Sequence, residues 1–531
     1  MRILAVEKVA PEGLALLRRR HEVDEFAGLS RDELLARIAD YDALLVRSAT
    51  KVTGAVIERA KRLRVIARAG VGVDNVDVAA ATRRGILVVN TPAGSTVAAA
   101  EHTVGLILSL LKRIPQADRS MKSGKWDRKA FVGRELRGAT VGVIGLGRIG
   151  SEVARLILAM QARVLAYDPA VRPEIGRRKG VEMTDLHALL SASDIVTLHV
   201  PLTDDTQHLI RKETIALMRQ GAYLVNCARG EIVRTADLLE ALQTGKLAGA
   251  ALDVFESEPP SADAQKLTRL ENVIATPHIA ASTEEAQRNI GVLLAEQVLA
   301  GLEGKLVADA VNLPALPTDL LGKMGIFLGL VYALAQVMAK LSRSPIERIE
   351  VGFSQEVPPE CHTYLARLAV AGVLAPLFEK GTVNAVNAME LAEERAIEVE
   401  HGRADTWRGR QNLLRLAVVG AGRRHSITGC ASDDTGTRIL ALDDFVLDLR
   451  PVGNMLLTLH KDQPGVVAHV TTELAEREIN ISEMHVARHD AGGTAMMLVG
   501  VDCALASDIV EAIQGTEGIE RALCLTFPSP A

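Results

Sequence analysis

The sequence predicts an α/β protein with two doubly wound lobes, then an α+β intervening domain, then a small four-stranded domain. Three observations carry this prediction. Short β-rich runs alternate with helical runs from the first residue and again from Ala139, which indicates βαβ units and parallel sheets. Two prolines in VNLPALP mark a linker, beyond which helices and short strands mix. From about Met455 the order becomes βαββαβ, which is typical of a ferredoxin-like module.

The first lobe is predicted from the β-rich runs MRILAVE, DALLVRS, RVIARAG and ILVVN and the helical segments between them. Ser30, with Glu33 three positions on, predicts a capping box at the start of one helix. The later helix EEAQRNIGVLLAEQVLAGLEG is expected to cross back to this lobe. We therefore predict a discontinuous first domain, residues 1–95 plus 284–312, facing a second, Rossmann-like domain, residues 96–283, across a cleft suited to small molecules.

The C-terminal part is predicted as an intervening domain, residues 313–452, and the ferredoxin-like domain, residues 453–531. The most apolar stretch begins at Met324, but glycines interrupt it and it ends in charged residues. A buried helix is therefore favoured over a membrane span.

Composition limits the kind of protein this can be. A chain of 531 residues is too long for one hydrophobic core and should form about three or four domains. Its net charge of −5 gives no reason to expect nucleic acid or an anionic membrane as the main partner. The five cysteines form no CxxC pair, which argues against a disulfide framework and a zinc site. The N-terminus lacks the apolar core of a signal peptide, so we expect a cytoplasmic protein.

A glycine-rich turn, Gly145, Gly147 and Gly150, joins a predicted strand to a predicted helix. In this context GxGxxG predicts a dinucleotide pyrophosphate at the helix N-terminus. Asp168 ends the next strand, roughly 20 residues on, where an acid binds ribose hydroxyls and repels a 2′-phosphate, so NAD is favoured over NADP. Asp168 could instead be only a turn residue before a proline. The glycines within 420–422 lack the third glycine and a following helix, and predict a β-turn.

Arg229, Glu258 and His278 follow three predicted strands of the second lobe, whose ends should face one crevice. Singly, each could be an ordinary cap, surface or turn residue. Together they provide what oxidation of a 2-hydroxy acid requires. Histidine can take the hydroxyl proton, a carboxylate can orient the imidazole, and arginine can hold the substrate carboxylate in a bidentate fork.

Several motifs in order now carry a family resemblance: RAGVGVDNVD, VGVIGLGRIG, YDP, NCARGEIV, ALDVFESEPP, TPHIAAST and HKDQPGVV. The chain resembles the D-isomer-specific 2-hydroxyacid dehydrogenases, and among them the long-form D-3-phosphoglycerate dehydrogenases. That resemblance implies an intervening domain of the allosteric substrate-binding type and a C-terminal ACT domain. It also implies NAD-dependent oxidation of D-3-phosphoglycerate to 3-phosphohydroxypyruvate, the first step of L-serine synthesis, in a homo-oligomer, dimer or tetramer, inhibited by L-serine.

The resemblance implies catalysis by His278 as acid and base, Glu258 as its partner in preference to the nearby Glu256, and Arg229 as substrate binder. Val71 and Val200 stand where relatives often carry threonine, which leaves only backbone contacts there. The implied contacts with NAD are at Val71, Gly145, Gly147, Arg148, Ile149, Gly150, Asp168, Val200, Cys227, Ala228, Arg229, Asp253, His278, Ala280 and Ala281.

For the substrate, the carboxylate suits Arg229 and the backbone amides of Gly70, Val71 and Gly72, which can form an anion nest. The phosphate needs separate cations. Arg47 and Arg128 match the family's phosphate ligands, with Lys129 as a further candidate, although both arginines could be ordinary surface residues.

In the C-terminal module, His460, Asp462 and Asn480 match the family's effector-binding positions. The resemblance implies that two modules join across a dimer interface with an amino acid between them. A plainer interpretation is that Pro464 and Gly465 mark a turn and that Asp462 caps the following helix.

Two other functions remain open at this point. One is another D-2-hydroxyacid dehydrogenase, such as a hydroxypyruvate or glyoxylate reductase, against which the paired arginines and the C-terminal module argue. The other is an NAD-sensing protein of the corepressor type, which can retain the same three polar residues. A turnover assay distinguishes it from an enzyme.

Overall fold

The computed structural model describes residues 1–316, 318–342, 345–379, 381–404, 407, 409–432 and 436–527. Residues 528–531 of the predicted fourth domain lie outside them. The first sheet has five parallel strands in the order β2-β1-β3-β4-β5. Its elements are β1 Arg2–Ala5, α1 Pro11–Arg18, β2 Glu22–Glu25, α2 Arg31–Arg37, β3 Ala43–Val46, α3 Gly54–Arg59, β4 Val65–Arg68, α4 Val78–Arg83 and β5 Leu87–Asn90. The predicted capping box at Ser30 and Glu33 is confirmed at the start of α2.

The second sheet has seven parallel strands in the order β12-β11-β10-β9-β6-β7-β8. This is a doubly wound sheet with a hydrophobic core on each face. Its elements are α5 Thr96–Lys112, α6 Ile114–Lys122, β6 Thr140–Ile144, α7 Arg148–Ala159, β7 Arg163–Tyr167, α8 Pro173–Arg178, β8 Glu182–Met183, α9 Leu186–Ala192, β9 Ile195–Leu198, α10 Lys212–Leu217, β10 Ala222–Asn226, α11 Thr235–Gln243, β11 Leu247–Leu252, α12 Ala262–Thr268 and β12 Val273–Ala275.

The helix α13, Glu284–Leu302, returns to the first sheet as predicted. Its buried residues Ile290, Leu294 and Val298 share one core with β1, β3 and β5. Gly13 on α1 lets the two helices approach closely, since a Cβ there would lie 2.1 Å from the carbonyl oxygen of Gly291. The first lobe is therefore built from two separate stretches of chain.

The third sheet has six strands in the order β14-β13-β15-β16-β17-β18, with β13 and β14 parallel and the others antiparallel. Within the helix α14, the window Met324–Leu341 is apolar and long enough to cross a membrane by length and composition, but 56% of it is buried and it packs on this sheet as a core helix. Positive φ angles at Ala421 and Gly422 form the predicted turn between β15 and β16. The elements are α14 Thr318–Leu341, β13 Arg348–Phe353, α15 Pro359–Leu374, α16 Ala388–Glu394, β14 Glu398–Arg403, β15 Leu413–Gly420, β16 Arg423–Ser432, β17 Gly436–Leu442 and β18 Phe445–Leu449.

The fourth sheet is antiparallel, in the order β20-β21-β19-β22, and confirms the ferredoxin-like βαββαβ prediction. Its elements are β19 Asn454–Lys461, α17 Val466–Glu476, β20 Ile481–Arg488, β21 Thr494–Val501, α18 Ser507–Gln514 and β22 Ile519–Thr526. One face packs on α17 and α18. The other joins the core of the third sheet, through Met455, Leu457, Met496, Leu498, Leu523 and Leu525. The guanidinium of Arg521 also donates to the carbonyl of Leu341 at the end of α14.

Candidate active site

Five predicted site positions lie at one edge of the second sheet. Gly145 follows β6, Asp168 follows β7, and Arg229 lies just beyond β10. Glu258 and His278 follow β11 and β12. All these strands are parallel, so their carboxyl ends share the edge that bounds the ligand crevice of such sheets.

His278 and Glu258 form a direct pair. Nδ1 of His278 lies 2.7 Å from Oε2 of Glu258, whose other oxygen accepts from the amide of Phe255 at 3.3 Å. A carboxylate only accepts hydrogen bonds, so a neutral His278 carries its hydrogen on Nδ1 and leaves the Nε2 lone pair available. The hydrogen bond to Glu258 raises the pKa of His278, whereas partial burial lowers it. Glu256 is engaged elsewhere, 2.8 Å from Nε2 of His208.

The turn that carries His278 is held by Asp253, which is fully buried. Its carboxylate accepts the amides of Ile279 and Ala280, each at 2.9 Å, and the hydroxyl of Thr276. Burial raises the pKa of Asp253, but the hydrogen bonds lower it by a larger amount. The pKa therefore lies below its ordinary value, and the group is ionised. The carboxylate that the resemblance implies as an NAD contact thus also supports the turn that carries His278.

Arg229 is fixed by Asn226, which is 1% exposed. The Asn226 side chain accepts the amide of Ala228 at 3.0 Å and donates to the carbonyl of Arg229 at 2.8 Å. The guanidinium then reaches the first lobe, where Nε donates to Oδ2 of Asp74 at 3.2 Å. Gly72 makes room for it, since a Cβ there would lie 1.8 Å from Nη2 of Arg229. Asn226 is not among the residues predicted for the site, and its position before CARG is its only signal in the sequence.

Arg68, the last residue of β4, is a further cation that sequence analysis missed, although it begins RAGVGVDNVD. Burial lowers its pKa to about 10, and the neighbouring charges of Arg229 and Arg47 act in the same direction. Its buried Nε has no hydrogen-bond partner among the described residues. Gly70 makes room for its guanidinium, since a Cβ would lie 2.0 Å from Nη1. Arg47 is held nearby, with its amide 2.8 Å from Oε1 of Glu7.

The loop Gly70, Val71 and Gly72 differs in part from the predicted anion nest. The amide of Gly70 donates to the hydroxyl of Thr91 at 2.9 Å and is not available to a substrate. In the described part of the chain, the amides of Val71 and Gly72 make no hydrogen bond. A substrate carboxylate beside Arg229 can therefore use two amides here, not three.

Arg128, the other predicted phosphate ligand, lies in the loop after α6. It is exposed and directly precedes the short 3-10 helix Lys129–Phe131. Within the ranges described above, no ion pair joins it to another side chain. The charges of Arg47 and Arg229 both act on Arg68, whereas Arg128 lies in this loop after α6.

The glycine turn has the form that a dinucleotide requires. Gly145 has φ +92°, and a Cβ there would lie 2.5 Å from the carbonyl oxygen of His199. A Cβ on Gly150 would lie 2.0 Å from the carbonyl oxygen of Gly145, so this glycine packs helix against strand. A Cβ on Gly147 would meet nothing within 4 Å, and α7 begins at Arg148. Open space before a helix N-terminus fits a bound pyrophosphate.

Asp168 and Arg148 flank this turn. One oxygen of Asp168 accepts the amide of Leu146 at 2.8 Å and the other accepts the amide of Ala170 at 2.9 Å. The carboxylate of Asp168 therefore stabilises the turn that follows β7, as the plainer interpretation holds. It also lies beside the glycine loop, because it accepts the amide of Leu146. Arg148 Nη2 lies 3.3 Å from Oδ1 of Asp309 in the first lobe.

The other implied cofactor positions surround the same strand ends. Burial raises the pKa of the Cys227 thiol to about 12, so the thiol is protonated and uncharged. His199, beneath the glycine turn, has its pKa lowered to about 4 by burial and is neutral. The implied cofactor positions at these strand ends are Ile149, Val200, Cys227, Ala228, Ala280 and Ala281.

In the fourth domain, the three implied effector positions have separate partners. Asp462 accepts from Arg488 at 3.0 Å and from the amide of Gly492 at 3.1 Å. It does not cap α17 as the plainer interpretation predicted, because Gly465, at φ +100°, is the N-cap residue. Asn480 donates to Asp502 at 2.9 Å. His460 is 2% exposed, and burial lowers its pKa.

Comparison with known families gives three matches. Residues 104–280 match the NAD binding domain of the D-isomer specific 2-hydroxyacid dehydrogenases. Residues 323–443 match the D-3-phosphoglycerate dehydrogenase intervening domain, and residues 454–518 match the ACT domain.

Similar proteins of nearly equal length carry one name. The chain is 41% identical to the D-3-phosphoglycerate dehydrogenase of Archaeoglobus fulgidus, over 98% of both chains. It is 37% identical to that of Bacillus subtilis, over 99% of this chain and 100% of the relative. Among solved structures, D-lactate dehydrogenase from Aquifex aeolicus complexed with NAD and lactic acid is 33% identical, with a TM-score of 0.52 over 57% of this chain and 96% of that chain. A glyoxylate reductase from Paecilomyes thermophila is 27% identical, with a TM-score of 0.55 over 59% of this chain and 98% of that chain.

Proposed function

Because this chain belongs to the family of D-3-phosphoglycerate dehydrogenases, we propose that it oxidises D-3-phosphoglycerate to 3-phosphohydroxypyruvate with NAD, the first step of L-serine biosynthesis. The observation that carries the proposal is the 2.7 Å pair of His278 and Glu258 at the strand edge that also carries Arg229. Acid–base and substrate-binding groups thus meet beside a turn suited to a dinucleotide.

The proposed roles follow from the available atoms. NAD, when bound, accepts a hydride from carbon 2 of the substrate. Nε2 of His278 takes the proton of the 2-hydroxyl group, because its Nδ1 is committed to Glu258. Glu258 stabilises the imidazolium that forms. Arg229, with the free amides of Val71 and Gly72, holds the substrate carboxylate and so presents carbon 2 to the cofactor.

We assign the substrate phosphate to Arg47 and Arg68, with Arg128 as an outer ligand. Arg68 supports this assignment because its buried Nε has no partner, and leaving a buried charged donor unsatisfied is costly. A dianionic phosphate would neutralise the mutual repulsion of Arg47, Arg68 and Arg229. An unphosphorylated 2-hydroxy acid would leave part of this repulsion between the arginines uncompensated.

The proposed cofactor contacts are those at the glycine turn and the strand ends described above. The open space beside Gly147 supports these contacts, and so does the position of the Asp168 carboxylate beside the loop.

The proposed division is a substrate-binding domain, residues 1–95 plus 284–312, an NAD-binding domain, residues 96–283, an intervening domain, residues 313–452, and an ACT domain, residues 453–531. We also place the protein in the cytoplasm as a homo-oligomer.

Turnover tests this function. Purified protein should produce NADH with D-3-phosphoglycerate and much less with D-lactate or D-glycerate. His278→Ala should lower kcat by about 10²- to 10⁴-fold, the usual contribution of a general base, with nearly unchanged NAD affinity. Absence of turnover by the wild-type protein with bound NAD would instead favour a sensor, and a preference for D-glycerate would favour a different reductase.

The ACT domain binds a small-molecule effector, which we propose is L-serine. Asp462 supports this through its acceptor oxygens, which suit an ammonium group, and the Asn480 amide suits a carboxylate. Serine must favour a less active subunit arrangement, since an effector acts only through its differential affinity. L-serine should inhibit, and Asp462→Ala or Asn480→Ala should relieve inhibition without lowering uninhibited turnover. Calorimetry with no serine binding at millimolar concentration would reject this site.

A further inference from the structure

His102 on α5 is a polar residue without a role in the mechanism above. Its side chain is 20% exposed, and Nε2 lies 3.3 Å from Oγ1 of Thr276 and 3.4 Å from Oδ1 of Asp253. The helix α5 precedes the second sheet in the chain, whereas Thr276 follows its last strand. The contact therefore joins a distant helix to the beginning of the turn that carries His278.

The direction of this contact follows from the hydrogens available. The hydroxyl of Thr276 donates its only hydrogen to Oδ1 of Asp253. The ionised carboxylate of Asp253 has no hydrogen to give. The hydrogen between these groups and the histidine must therefore be on Nε2 of His102, which is the donor.

The same carboxylate shapes the catalytic turn. Asp253 accepts the amides of Ile279 and Ala280, and its backbone carbonyl accepts the amide of His278 at 2.9 Å. His278 itself has φ +55°, a left-handed conformation that is uncommon outside glycine. Such a backbone persists only where its surroundings hold it.

We propose that His102 is a positioning residue for the acid–base pair: its Nε2 hydrogen anchors Thr276 and Asp253 to α5, and this fixes the turn that aligns His278 with Glu258. For its effect on turnover this inference rests on the proposed function. Loss of the anchor would displace the imidazole but not Arg229, whose position is fixed by Asn226. Turnover should then fall while substrate affinity is largely retained.

The charges around His278 give a second readout. Glu258 and Asp253 both raise the pKa of His278, and Arg229 lowers it. The hydrogen bond to Glu258 is the largest of these effects, so a displaced imidazole should titrate at a lower pH than in the wild-type protein.

The test compares four proteins: wild type, His102→Leu, which retains bulk without a donor, His102→Gln, which retains an amide donor, and His187→Ala as control. His187 is an exposed histidine on α9. In His102→Leu, kcat for phosphoglycerate should fall by about 10- to 100-fold, the cost of a displacement of about 1 Å, with KM nearly unchanged. His102→Gln should recover most of this loss, and His187→Ala should behave as wild type.

NMR titration of ¹³C-labelled histidines, with the His278 signal assigned by its absence from His278→Ala, measures the pKa without turnover. The pKa of His278 should fall in His102→Leu and remain near its wild-type value in His102→Gln. If His102→Leu does not fold, His102→Asn, whose amide is too short to reach, replaces it.

Wild-type kcat and an unchanged His278 titration in His102→Leu would overturn the proposal. So would equal losses in the Leu and Gln variants with an unchanged titration, because that result indicates general destabilisation. A wild-type protein that does not oxidise phosphoglycerate would refute the proposed function, while the titrations would still decide the role of His102.

Discussion

Gly147→Ala is expected to impair NAD binding while leaving the fold intact. A Cβ at this position meets nothing within 4 Å, and the residue has φ −68°, which alanine adopts without strain. Gly147 is the N-cap residue of α7, where alanine is less favourable than good capping residues by about 0.5–2 kcal/mol. The empty volume beside it is where the pyrophosphate would approach the helix amides.

The magnitude follows from the hydrogen bonds at stake. A methyl group in this space would hold the pyrophosphate away from at least one amide. A hydrogen bond to a charged group contributes about 1.5–3 kcal/mol, so the Kd for NAD should rise by about 10- to 100-fold. Calorimetric titration with NAD measures this change directly.

Gly150→Ala is the matched comparison, because its Cβ would lie 2.0 Å from the carbonyl oxygen of Gly145. Such overpacking costs about 1–3 kcal/mol, which lowers Tm by roughly 2–4 °C per kcal/mol in a domain of this size. The prediction is thus a binding defect for Gly147→Ala and a stability defect for Gly150→Ala. Wild-type NAD affinity in Gly147→Ala, or equal losses of Tm in both variants, would refute the assignment of the pyrophosphate to this turn.

Three further substitutions test the other proposed contacts. Glu258→Gln should reduce kcat and shift the ascending limb of the kcat/KM profile for oxidation to lower pH. The reason is that His278 must be neutral to accept the proton, and Glu258 raises the pKa of His278. A pH–rate profile that keeps the wild-type midpoint would contradict this. Asp168→Ala should weaken NAD binding and relax the bias against NADP, so unchanged Kd values for both cofactors would exclude the ribose role. Arg128→Ala should raise KM for phosphoglycerate far more than for D-glycerate, and equal effects in steady-state kinetics would separate Arg128 from the phosphate.

Local patterns were sufficient to predict the strand-end positions and the two doubly wound sheets. The glycine turn needs only a strand before it and a helix after it, and both are visible in the sequence around Gly147. Arg68 was missed because its significance depends on burial and on loops from different strands meeting beside it. His102 was missed for the same reason, since its partners lie far along the chain. Asp462 was misjudged as a possible helix cap because the chain turns later, at Gly465.

The continuous core between the third and fourth sheets determines how this chain can be dissected. A truncation before β19 would remove the six side chains that the fourth sheet contributes to that core and expose the apolar residues of the third domain that they cover, and such a patch promotes aggregation. It would also remove the hydrogen bonds that Arg521 makes to the end of α14. Sensitivity to an effector is therefore better removed by point substitution on the outer loops than by deletion.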